Sequence, residues 1–135
     1  MPVQIPLKKI QALTDPFQNN PWHYWHRLTR KEIREAIKNE WFMPMPMYKG
    51  GSPEEQAHRI AYLVVHGWSD AISLDVGVPS LGCCVDNPIL DGHHRLAAAI
   101  YRKDESILAT VDGSIDYAFE LFGVDVTENF NENRI

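Results

Sequence analysis

The chain is 135 residues long, with 44% apolar and 23% charged residues and a formal charge of −5 with histidines neutral. These values lie near globular averages and exclude a mostly disordered chain, a collagen and a coiled coil. The length suits a single domain, 1–135, with a core that folds without staples. The two cysteines, Cys83 and Cys84, are adjacent and build no disulfide framework, which points to a reducing compartment. No apolar stretch reaches the roughly 18 residues that span a bilayer. The start, MPVQIPLKKI, lacks the apolar h-region of a signal peptide. The expectation is a soluble cytoplasmic domain without a membrane partner.

Residues 3–10 alternate as Val3, Ile5 and Leu7, and Pro6 suits an edge strand. Residues 14–26 combine turn chemistry with the aromatic group Trp22, Tyr24 and Trp25, read as core or a partner surface. Thr29 and Glu32 form a capping-box pattern. Ile33, Ala36, Ile37 and Trp41 recur at helical spacing, which predicts an amphipathic helix over 30–41. Its other face carries Arg30, Lys31, Arg34 and Lys38, with Arg27 just before. That cluster reads as a solvated helix face or as a phosphate-contacting or partner surface. Residues 43–52 hold prolines that forbid helix, so the segment is a linker or a flap. Residues 1–52 form the N-terminal part of the domain.

Ser52, Pro53 and Glu55 start a second helix with the apolar stripe Ala57, Ile60, Ala61 and Val64, ending at Gly67. Ile72, Leu74 and Val76 alternate as a strand. Residues 83–90 read as another strand, interrupted at 86–88, with Cys83 and Cys84 buried in it. Asp91 and Gly92 open a helix that runs through LAAAIYRK. Residues 106–111 form a further strand. Ser114 caps a short helix bearing Ile115, Ala118, Phe119 and Phe122, stopped by Gly123. One more strand is expected near residues 124–126, within an acidic tail, 124–135. Residues 104–135 carry a net −7 and residues 1–103 a net +2. The fold class is α+β, a small mixed sheet packed with helices.

The chemistry concentrates in residues 88–99, PILDGHHRLAAA. An apolar strand end passes through Asp91 and Gly92 into a helix start. First-turn amides lack intrahelical partners and attract anions. His93, His94 and Arg95 all donate to phosphate oxygens, Arg95 in a bidentate fork. As a plain N-cap, Asp91 explains the turn but not the three basic side chains, which oppose the helix dipole unless an anion is present. His23 and His26 lack any partner motif for zinc, and the adjacent cysteines are wrongly spaced for one tetrahedral site.

PILDGHHRLAAAIYRKDESILATVDG resembles the central motif of the ParB/sulfiredoxin superfamily, in the DGHHR form of its ParB-like free serine kinases. HRIAYLVVHGWSDAISLDVG resembles the preceding helix and strand of that family, and residues 3–10 its first strand. The resemblance implies a nucleotide-phosphate site for ATP, ADP or CTP at Gly92, His93, His94 and Arg95, usually with magnesium. It implies phosphotransferase or NTPase activity. Asp91 would then bind magnesium or act as base, with a second carboxylate from Asp15, Glu32 or Glu35. His93 or His94 would shuttle protons, and Arg95 would stabilise developing charge. The loop lacks the cysteine of sulfiredoxins, which argues against sulfinic acid reduction. The chain ends before the second domain of partition proteins. Two alternatives stand beside this: a ParB-like nuclease or DNA-binding protein with Arg27, Arg30, Lys31, Arg34 and Lys38 as its track, and a non-enzymatic interaction module of phage or plasmid origin.

Overall fold

The computed structural model describes residues 2–22, 27–46 and 51–126. Its packing divides the chain into two compact units. One comprises Met1–Thr14, Asp70–Gly92 and Asp104–Ile135, the other Asp15–Ser69 and His93–Lys103. The class is α+β, with a four-stranded mixed sheet. Among the described residues, no helix is long and apolar enough to cross a membrane.

The first unit holds the sheet, from β1 (Val3–Pro6), β2 (Ile72–Asp75), β3 (Ile89–Asp91) and β4 (Ser106–Asp112), in the order β1-β4-β2-β3. β4 lies antiparallel to β1 and parallel to β2, and β2 is antiparallel to β3. Val3, Ala109 and Ile72 fall in one register row, and Ile5 faces Ile107. All five are buried, as is Leu74, so period-2 alternation gives the sheet its apolar face. Pro6 sits on an edge strand, where its missing donor costs no ladder bond. The strand expected to reach residue 10 stops at Pro6, and α1 (Leu7–Gln11) follows. Leu7 and Ile10, three apart and both buried, satisfy a helical turn as well as alternation satisfies a strand.

Three further expectations are corrected in this unit. Residues 83–88 are not a strand; the segment is a loop, exposed over 83–87 and joined to Val78 by one isolated bridge at Cys83, and β3 begins only at Ile89. Cys83 and Cys84 are therefore exposed free thiols, not buried strand residues. No strand forms at residues 124–126. In α6 (Ile115–Phe122), capped by Ser114 as expected, Ala118 and Phe122 are buried, but Ile115 is 51% and Phe119 56% exposed.

The turn after β4 is held by close backbone approach. Gly113 has φ +100, and a Cβ there would stand 2.6 Å from the carbonyl oxygen and 2.7 Å from the nitrogen of Gly77. The Ser114 N–H donates to that same Gly77 carbonyl at 2.8 Å.

The second unit is helical: α2 (Pro16–Asn19), α3 (Arg30–Lys38), α4 (Pro53–His66) and α5 (His93–Arg102). α4 packs on both α3 and α5, and α2 packs on α5. α4 carries the complete capping box, Ser52 accepting from the Glu55 N–H and Glu55 accepting from the Ser52 N–H. Its buried side is Gln56, Ala57, Ile60, Ala61 and Leu63, whereas Val64 is half-buried.

α3 has only nine residues, too few for stability in isolation. It is held by burial of Ile33 and Ala36 and by its ends. Thr29 accepts from the Glu32 N–H, and the Thr29 hydroxyl donates to the Glu32 carboxylate. At the other end the Trp41 N–H donates to the Ala36 carbonyl at 2.9 Å and the Glu40 N–H to that of Ile37 at 3.2 Å. That pair of bonds is a Schellman motif. It ends the helix at Lys38, short of the expected residue 41, and removes Trp41 from the apolar stripe. The left-handed position, normally glycine, is occupied by Glu40 at φ +56.

Two outcomes are expected in urea unfolding. Gly113→Ala lowers stability by about 2–4 kcal/mol, combining backbone strain with overpacking. Glu40→Gly raises stability by up to about 1 kcal/mol, because relief of left-handed strain outweighs the added freedom of the unfolded chain.

Candidate functional site

Helix α5 changes character after one turn. His93, His94 and Arg95 are half-buried, and residues 96–100 are all buried. The first turn contains no acidic residue. Small side chains at Ala97, Ala98 and Ala99 permit close helix packing, and α4 and α2 pack against α5.

His94 is braced from two sides within the helical unit. Its imidazole stacks on Trp22, ring centroids 5.3 Å apart and planes 27° from parallel. Its Nε2–H donates to Oε1 of Gln56 on α4. Gln56 is only 2% exposed, so its amide is placed by the core. With Nε2 donating, Nδ1 accepts in the neutral ring and donates in the protonated one. The His93 ring meets the Trp22 edge at 6.5 Å. The turn thus offers one oriented imidazole, a second beside it and a guanidinium. That set suits anion binding and proton transfer near neutral pH.

Asp91 and Gly92 belong to the sheet unit. Asp91 is exposed, ends β3 and pairs with Ser73. The helix starts at His93, so Gly92 is the residue that flanks it. Gly92 is buried with φ +118, a conformation that glycine tolerates and side-chain-bearing residues rarely adopt.

Two of the three candidates for a second carboxylate have local capping tasks. Asp15 accepts from the Phe17 N–H at 2.9 Å as the cap of α2, and Glu32 takes the Thr29 hydroxyl at 3.0 Å. Glu35 lies exposed on α3. Among the described residues, no three or more His, Cys, Asp or Glu side chains gather as a metal site. His23, Tyr24, Trp25 and His26 lie outside the described residues.

Sequence reading passed over Gln56 and the contact it makes. One signal was present: residues 56, 60 and 63 share a helix face, and a glutamine on an apolar face needs a buried partner. Comparison with protein-family models, curated proteins and solved structures found no match to the chain.

Replacing Gln56 by Leu leaves the His94 N–H without its buried acceptor. Urea unfolding is expected to register a loss of about 1–3 kcal/mol.

Proposed function

We propose that the first turn of α5 binds a phosphate group of a nucleotide such as ATP, ADP or CTP, and that the chain acts as a small cytoplasmic phosphotransferase or NTPase. The observation that carries this reading is the braced basic turn. His93, His94 and Arg95 stand at the positive end of a ten-residue helix without an acidic residue in that turn. The N–H groups and dipole of such a helix start favour an anion, and all three side chains can donate to phosphate oxygens. Trp22 and Gln56 hold the His94 ring in place, which lowers the ordering cost of binding. The resemblance of residues 88–113 to the ParB/sulfiredoxin superfamily supports the same reading.

His93, His94 and Arg95 would contact phosphate oxygens, with an imidazole transferring the proton and Arg95 meeting developing charge. Asp91 is the carboxylate nearest in sequence and is proposed as the base or magnesium ligand. The chain offers no cluster of three or more cation ligands among the described residues. Magnesium therefore fits as an ion carried largely by nucleotide phosphates and water, its ordinary mode of binding in such sites. The exposed thiols of Cys83 and Cys84 suit a reducing cytoplasm.

The test is a thermal-shift and calorimetric panel of nucleotides with and without magnesium. A ligand at one hundred times its Kd should raise Tm by on the order of 10 °C. Arg95→Ala should abolish that rise while leaving the ligand-free Tm within a few degrees. Absence of a heat or Tm response to every nucleotide at millimolar concentration defeats the reading.

A further inference from the structure

Five basic side chains crowd around α3 in a chain of net charge −5. Arg27, Arg30, Lys31, Arg34 and Lys38 are all exposed. At 100° per residue, Arg30, Arg34, Lys38 and Lys31 fall within one arc of roughly 100° on the helix. Arg30, Arg34 and Lys38 stand one above the other at steps of roughly 6 Å. The opposite side, Ile33 and Ala36, is buried, so the basic arc is the helix's outward face. Arg30 is also braced, its guanidinium 4.7 Å from the Phe17 ring centroid.

The Schellman turn adds a second, different feature. Trp41, three residues past Lys38, is 52% exposed. It is carried on a segment tied to α4. The Met43 N–H donates to the His58 carbonyl at 3.2 Å, and Arg59 donates to the carbonyls of Met43 and Pro44 at 3.2 and 2.8 Å. The Phe42 ring packs edge-on against His66 at 5.5 Å, and one side of Trp41 meets the His58 ring at 5.8 Å. A large aromatic side chain is thus presented to solvent from a braced backbone, three residues along the chain from the last of these cations.

We infer that this face of the helical unit binds a single strand of nucleic acid, the basic arc following the phosphates and Trp41 stacking on a base. Charge complementarity selects a polyanion, and three of the five cations are arginines, whose planar fork matches phosphate. The exposed indole selects an unpaired base over a duplex, because base faces are covered inside a duplex and open in a single strand. An acidic protein surface would use the charges and leave the indole without a comparable partner. This inference does not rest on nucleotide binding at α5.

Fluorescence anisotropy with a labelled 12-residue DNA or RNA strand and the matching duplex, at 25–200 mM salt, tests it. The single strand should bind more tightly than the duplex. With all five cations engaged, log K should fall against log[salt] with a slope of about −3.5. Arg34→Ala/Lys38→Ala should reduce that slope by about 1.4. The control Lys8→Ala/Lys9→Ala, which removes equal charge from α1, should leave it unchanged. Trp41→Ala should weaken binding at least about five-fold, the low end for one stacked base, without altering the slope, and Trp41→Phe should restore most of the loss. Equal or tighter duplex binding, an unaffected Trp41→Ala variant, or equal losses in the two double variants would overturn the inference. Displacement of the strand by polyglutamate at matched charge would assign the face to an acidic protein instead. Loss of binding in Arg95→Ala with the α3 double variant unaffected would move the site to α5.

Discussion

Five consecutive residues of α5, 96–100, are all buried. Consecutive helical positions advance by 100°, so five of them sweep the full circumference of the helix. This helix is therefore covered on every side over that turn. Three of the five are alanines, which lets neighbouring backbone come close and leaves little room for the helix to rotate or slide. The polar turn at its head inherits that fixity. His93, His94 and Arg95 begin where full burial ends, and their directions follow from the packing of residues they do not resemble.

Within the helical unit, α4 organises both candidate surfaces through different residues. Gln56, on its first turns, gives the His94 ring an oriented acceptor. His58 and Arg59 hold the segment after α3, which sets Trp41 at the surface. One surface concentrates charge at a point, suited to a terminal phosphate group. The other spreads charge along a track beside an aromatic plane, suited to a polymer. The physics of the two differs accordingly: the first depends on hydrogen-bond geometry, the second on counterion release and stacking.

Much of the fold is legible locally. The Ser52–Glu55 reciprocal cap, Pro53 at the first helical position and the Thr29 and Ser114 caps all act across three residues, so they are visible in any window of that size. The alternation of Ile72 and Leu74, and of Ile107 and Ala109, matches the apolar face of the sheet, and Pro6 marks its edge. The basic first turn of α5 is equally plain. Less legible are Ile115 and Phe119, which keep perfect helical spacing yet stand in solvent, and Cys83 and Cys84, which lie on an exposed loop. Spacing tells which residues share a face. It does not tell whether another element arrives to cover that face.

The amino-acid sequence by itself determined the capped starts of α3, α4 and α6, the alternation of β2 and β4 and the crowding of cations at 27–38 and 93–95. These depend on contacts between residues no more than a turn or two apart. Tertiary structure alone decided that Gln56 meets His94 across 38 positions and that His94 stacks on Trp22. It also decided that the loop after α3, braced on α4, presents Trp41 outward. Those outcomes are set by which helices pack together, a competition among distant burials that short-range propensity does not encode.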